Sequence, residues 1–121
     1  ECIAGSHLSN VLHKPKRFNG NDLYENDESL EVPDINANRN DYKILSWEIK
    51  AGDAIAFDFR TLHGASENVN KLSRRRIFSA RIVGDDAFFV DRGGKGSPPF
   101  ENIKLKTGDK LVGEEFPIIY Q

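Results

Sequence analysis

Lys43-Ile44-Leu45-Ser46-Trp47-Glu48-Ile49-Lys50, then Ala51-Gly52-Asp53, then Ala54-Ile55-Ala56-Phe57-Asp58-Phe59, carries the clearest periodicity in the chain. Leu45, Trp47 and Ile49 alternate with Ser46, Glu48 and Lys50, the period of a strand with one face buried. Ala51-Gly52-Asp53 is tight-turn chemistry. Ile55, Phe57 and Phe59 then share one face of a second strand. Outward from this pair the same signal recurs. Cys2-Ile3-Ala4 reads as the end of a short strand running into a turn at Gly5-Ser6-His7. A third strand is expected within residues 74–83 and a fourth over residues 87–90.

No stretch carries a sustained helical apolar stripe, and no internal repeat is present. Arg92-Gly93-Gly94-Lys95-Gly96-Ser97-Pro98-Pro99 is turn chemistry throughout and suits neither helix nor central strand. It also lacks the spacing and following helix of a phosphate loop. Short strands joined by Gly, Asp and Asn turns predict an all-β sandwich or jelly roll. Residues 14–42 are polar and rich in Asn, Asp, Glu and Lys. Such a length without periodicity predicts a long loop, either a solvated surface excursion or a functional lid.

The chain has 121 residues, enough for a single domain with one core. Its 17 basic and 19 acidic residues give a formal net charge of -2, so bulk charge offers no attraction to nucleic acid or an anionic membrane. The apolar runs are too short to span a bilayer. The lone cysteine, Cys2, cannot make an internal disulfide, which suits a reducing cytoplasm, the expected location. The sequence contains no methionine and opens Glu1-Cys2-Ile3. Processing explains this, as does a start inside a larger domain, and the second is the expectation carried forward.

Chemistry concentrates at one place. His63 follows the strand over residues 54–59, and Arg74-Arg75-Arg76 opens the next. A histidine at a strand end can project a ring nitrogen into the mouth of a barrel. An arginine on a neighbouring antiparallel strand can reach the same hollow and hold a carboxylate bidentately. The alternatives are a hydrogen-bonded turn histidine and solvated cations. Asp85 and Asp86, after Gly84, are expected in a turn rather than as an acid/base pair. Trp47 is expected in the core, and His13 exposed.

The run Trp47…Ala51-Gly52-Asp53…Phe57…Leu62-His63-Gly64-Ala65…Asn68…Arg74-Arg75…Ser79…Arg81…Gly84-Asp85-Asp86-Ala87 resembles the C-terminal half of bacterial phytanoyl-CoA dioxygenase family proteins. Ala4-Gly5-Ser6-His7 resembles that family's Pro-Gly-Ser-His turn, with Ala4 where proline is usual. Gly108-Asp109…Leu111…Gly113…Phe116-Pro117 is similar as well. The resemblance implies a double-stranded β-helix, cupin-like, present here in part. It also implies an oxygenase that uses Fe(II), held by two histidines and a carboxylate, together with 2-oxoglutarate. Decarboxylation to succinate would then drive hydroxylation of a small organic molecule.

By resemblance, His63 matches the distal metal-binding histidine, and the family's spacing puts the 2-oxoglutarate arginine at Arg74, with Arg75 the register alternative. Strand alternation points the same way: Arg74 shares a face with Arg76, Phe78, Ala80 and Ile82, more apolar beyond its arginines, and Arg75 with Ile77, Ser79, Arg81 and Val83. The family's His-x-Asp motif is missing. The three histidines read His7-Leu8-Ser9, His13-Lys14-Pro15 and His63-Gly64-Ala65. The expectation is that the chain is the C-terminal part of a larger jelly-roll domain and by itself holds no metal and turns over no 2-oxoglutarate. Strand edges left open would favour a homo-oligomer. Two other readings compete: a non-catalytic cupin-like module binding a small ligand, and an oligomerisation domain. A carboxylate held at Arg74 without metal would favour the first.

Overall fold

A computed structural model describes residues 1–17, 19–24, 27–93, 96, 100 and 102–120. They fall into two compact units, one built from Glu1–His13 and Ser29–Arg76, the other from Lys14–Glu28 and Ile77–Gln121.

The first unit is organised around β1 (Cys2–Ile3). β1 pairs antiparallel with β2 (Ile44–Leu45), in the register Cys2 to Leu45 and Ile3 to Ile44. On its other edge Cys2 bridges antiparallel to His63. β1 therefore lies between β2 and the 62–64 segment, which joins it through a single bridge. The Ile3 amide donates to the Leu62 carbonyl at 2.9 Å and the Gly64 amide to the Glu1 carbonyl at 3.1 Å. Partners in a ladder share a face, so Leu45, Cys2 and His63 stand on one side, and Ile3 and Ile44 on the other. Cys2 is the buried apolar residue here and Thr61 the buried polar one.

After β1 the chain turns at Gly5, whose φ of 76° lies in the left-handed region that L side chains avoid. A 3-10 turn over Ser6–Leu8 follows, closed by the Leu8 amide donating to the Gly5 carbonyl at 2.9 Å. The space around Gly5 is open, so only backbone strain opposes a side chain there. Gly5→Ala is expected to cost about 1 kcal/mol locally. Faster amide exchange at Ala4 and Leu8 measures this, and Gly5→Asn should lose less because Asn tolerates that conformation.

A second 3-10 turn, Arg39–Asp41, is tied to β1 by a two-pronged pair, Arg39 to the Glu1 carboxylate at 3.0 and 2.8 Å. Lys50 to Asp53 form the expected turn, with the Asp53 amide donating to the Lys50 carbonyl at 3.0 Å and Gly52 at φ 100°. The flanking segments, 46–49 and 54–57, share no ladder hydrogen bond among the described residues. They border an open groove of about 470 Å³ lined by Trp47, Ile49, Ile55 and Ala56. Trp47, expected in a core, is 47% exposed there. His13, expected to be exposed, is half-buried, bridging in parallel to Leu30 with Nδ1 3.0 Å from the Glu31 carbonyl.

In the second unit Phe88 bridges antiparallel to Lys110, the Phe89 amide donates to the Asp109 carbonyl at 2.8 Å, and the Gly108 amide returns to Phe89 at 2.9 Å. The expected turns are present at residues 84–87, closed by Ala87 amide to Gly84 carbonyl, and at residues 106–109. Of the turn-rich stretch over residues 92–99, residues 94, 95 and 97–99 lie outside the described residues.

The accessible surface is 11170 Å² for a mass of 13.6 kDa. That mass would expose about 6,600 Å² gathered into one compact body and about 7,900 Å² divided equally between two. Either way the chain leaves a large apolar area uncovered.

Candidate metal and co-substrate site

His63 stands where the segment after residues 54–59 meets β1. Asp58 opens the approach. Its carbonyl accepts from the Thr61 amide at 2.9 Å, and its Oδ1 accepts from the Arg60 amide at 2.9 Å, so the chain reverses over three residues. The Arg60 guanidinium grips the same carboxylate, Nε to Oδ1 at 3.1 Å and one terminal nitrogen to Oδ2 at 3.0 Å. These bonds, the Arg60 side chain first and its backbone amide second, lower the Asp58 pKa from 3.8 to about 2; the Arg60 and His7 charges act the same way. A depressed carboxyl stabilises the folded turn above the unfolded value and loses that contribution as pH falls through about 2. Arg60→Ala is expected to move the Asp58 midpoint up from about 2 but leave it below 3.8, since the residue-60 amide and His7 remain, read from its carboxyl carbon shift. An unmoved midpoint would show that the guanidinium does not hold it.

The imidazole of His63 is exposed, with Nδ1 2.8 Å from the Thr61 carbonyl and the ring centroid 4.7 Å from that of Phe57. A carbonyl oxygen can only accept, so Nδ1 carries the proton in this contact. In the neutral ring Nε2 is then left with its lone pair. Ligating histidines are commonly fixed this way, one nitrogen bonded to a carbonyl and the other turned to the metal. A plain turn histidine makes the same bond, so the geometry permits both roles.

Beyond His63 the loop is tied back by Asn68, whose Nδ2 donates to the Ser73 carbonyl at 2.8 Å. Asn68 Oδ1 accepts from the Asn70 amide at 3.2 Å, and Asn70 Oδ1 from the Leu72 amide at 2.9 Å. Asn68 thus fixes the residue just before Arg74. Arg74, Arg75 and Arg76 are all exposed. No hydrogen bond or ring contact joins any of them to His63 among the described residues. The structure brings together Cys2, Ser6, Leu62 and His63, and leaves the arginines at the far end of the tied loop. Ser6 was missed as a contributor by sequence reading, because its hydroxyl acts on a residue 56 positions away.

No group of three or more His, Cys, Asp or Glu side chains able to hold a metal occurs among the described residues. His63 fits one ligand position. One imidazole is not a metal centre.

The family model described as phytanoyl-CoA dioxygenase matches residues 1–76. The chain belongs to the phytanoyl-CoA dioxygenase family. The match takes in the 4–7 turn, the whole 62–64 segment, Asn68 and Arg74. The likenesses at Ser79 to Ala87 and at Gly108 to Pro117 lie outside it. No curated protein and no solved structure matches the chain. Membership makes this a chain of a dioxygenase family, and no helix among the described residues is long and apolar enough to cross a membrane.

Proposed function

We propose that the chain contributes one side of the active centre of an Fe(II)/2-oxoglutarate-dependent dioxygenase acting on a small organic molecule in the cytoplasm. The observation carrying this is the orientation of His63 by Thr61 within the family match. His63 would give Nε2 to iron. Arg74 would take the distal carboxylate of 2-oxoglutarate in a two-pronged bond, with Arg75 the alternative one residue out of register. Bound iron and 2-oxoglutarate supply the oxygen activation that breaks an unactivated C–H bond. The protein's part is to orient the ligand, hold the carboxylate and keep water out.

The residues present do not complete the centre, because none of the three histidines has a carboxylate two positions on. No catalytic step is therefore assigned to this chain by itself. We place it as the C-terminal part of a jelly roll, with further strands covering the exposed alternating residues Leu45, Trp47, Ile49, Ile55 and Phe57. Purified alone, the chain is expected to hold well under one iron per chain and to form no succinate from 2-oxoglutarate. Joined to a family segment carrying His-x-Asp, it is expected to bind iron near one equivalent. Metal analysis and a succinate assay on both proteins test this. Equimolar iron with turnover in the lone chain would overturn it.

A further inference from the structure

In an antiparallel ladder, residues of a hydrogen-bonded pair exchange two bonds. Glu1 and Gly64 make such a pair, and Cys2 with His63 is the non-bonded pair that follows it. Ile3 and Leu62 come next and should again exchange two bonds. Only one is direct, Ile3 amide to Leu62 carbonyl at 2.9 Å. In place of the other stands the Ser6 hydroxyl, which accepts from the Leu62 amide at 2.9 Å and donates to the Ile3 carbonyl at 2.8 Å.

We propose that Ser6 is a positioning residue for His63, its hydroxyl spliced into the ladder between Leu62 and Ile3. The splice satisfies both backbone groups, which would otherwise be left unpaired beside buried Thr61. It also parts the two strands by one hydroxyl, ending the ladder next to the Thr61 carbonyl on which the His63 ring rests. Three features put the hydroxyl there. The left-handed Gly5 turns the chain back, the Ser6–Leu8 turn fixes the Ser6 backbone, and the Ser9 amide bonds to the Ser6 carbonyl at 3.4 Å. Threonine at this position would keep the oxygen, and alanine would remove it.

The step from a fixed strand to an aimed metal ligand rests on the function proposed above, but the splice itself does not. The test is therefore made without iron. Amide hydrogen exchange of the peptide containing Leu62 and imidazole C2–H exchange of His63 are followed by mass spectrometry in the full chain. The chain is compared with Ser6→Ala and Ser6→Thr. Ser6→Ala is expected to speed exchange in the Leu62 peptide about fivefold, the loss of one ordinary hydrogen bond. C2–H exchange of His63 should rise with it, and that of His13 stay where it was. Ser6→Thr should restore both. Unchanged exchange at Leu62 and His63 in Ser6→Ala would overturn the proposal, as would failure of Ser6→Thr to restore them. An equal rise at His13 would also count against it, since the hydroxyl would then be holding the whole unit. A splice that passes while the completed protein binds no iron at His63 would sink the ligand role alone.

Discussion

Purified by itself, the chain is expected to sediment as a dimer or larger species and to bind a hydrophobic dye strongly. Phe59, Phe78, Val69 and Leu72 are each at least 85% exposed, and Cys2 is the only buried apolar residue among those described. Covering a single large apolar side chain is worth about 1.5–3 kcal/mol. Several together outweigh the entropy lost on association, and exposed apolar area on this scale marks contact surfaces or aggregation. Backbone groups add a direction to that drive. Segments 46–49 and 54–57 have no ladder partner among the described residues, and open strand edges recruit other strands. Sedimentation velocity with Trp47 fluorescence measures the outcome, because the half-exposed indole should shift to the blue when covered. A monodisperse monomer with a sharp thermal transition would contradict it.

The second large effect concerns the two cationic or ligating groups in the protein completed with a His-x-Asp segment. His63→Ala is expected to weaken iron binding by more than 100-fold, since changes even to outer-shell partners of a metal cost about 10- to 100-fold. Arg74→Ala is expected to leave iron in place and raise the 2-oxoglutarate requirement by roughly 30-fold or more. Removing one member of a desolvated, hydrogen-bonded charge pair costs about 2–5 kcal/mol. Lysine should not rescue it, because a point charge does not reproduce the planar fork. Arg75→Ala should change either constant little. If Arg75→Ala gives the large effect and Arg74→Ala the small one, the strand sits one residue out of the proposed register.

What the sequence made legible was local. Gly52, Gly84 and Gly108 lie in turns because Asp, Gly and their neighbours close hydrogen bonds over four residues, and that chemistry needs no distant partner. Cys2-Ile3 and Ile44-Leu45 were readable as strand from their apolar runs and the alternation that follows Ile44. Pairing was not readable. Alternation says which side chains share a face, but not which segment supplies the hydrogen bonds, so β1 lying between β2 and residues 62–64 could not be foreseen. At the site, residue type singled out His63, whereas its Nδ1 bond to Thr61 and the Ser6 splice depend on long-range contact. The choice between Arg74 and Arg75 turns on how residues 74–83 pair, and both guanidiniums are exposed.

The most direct measurement is a crystal structure of the completed protein loaded with a divalent metal and 2-oxoglutarate. His63 Nε2 is expected to be bonded to the metal, and the Arg74 guanidinium to make a pair of hydrogen bonds of about 2.7–2.9 Å to the far carboxylate of the same 2-oxoglutarate. An imidazole pointing into bulk water, or a carboxylate held by another residue on the opposite side of the sheet, would contradict it.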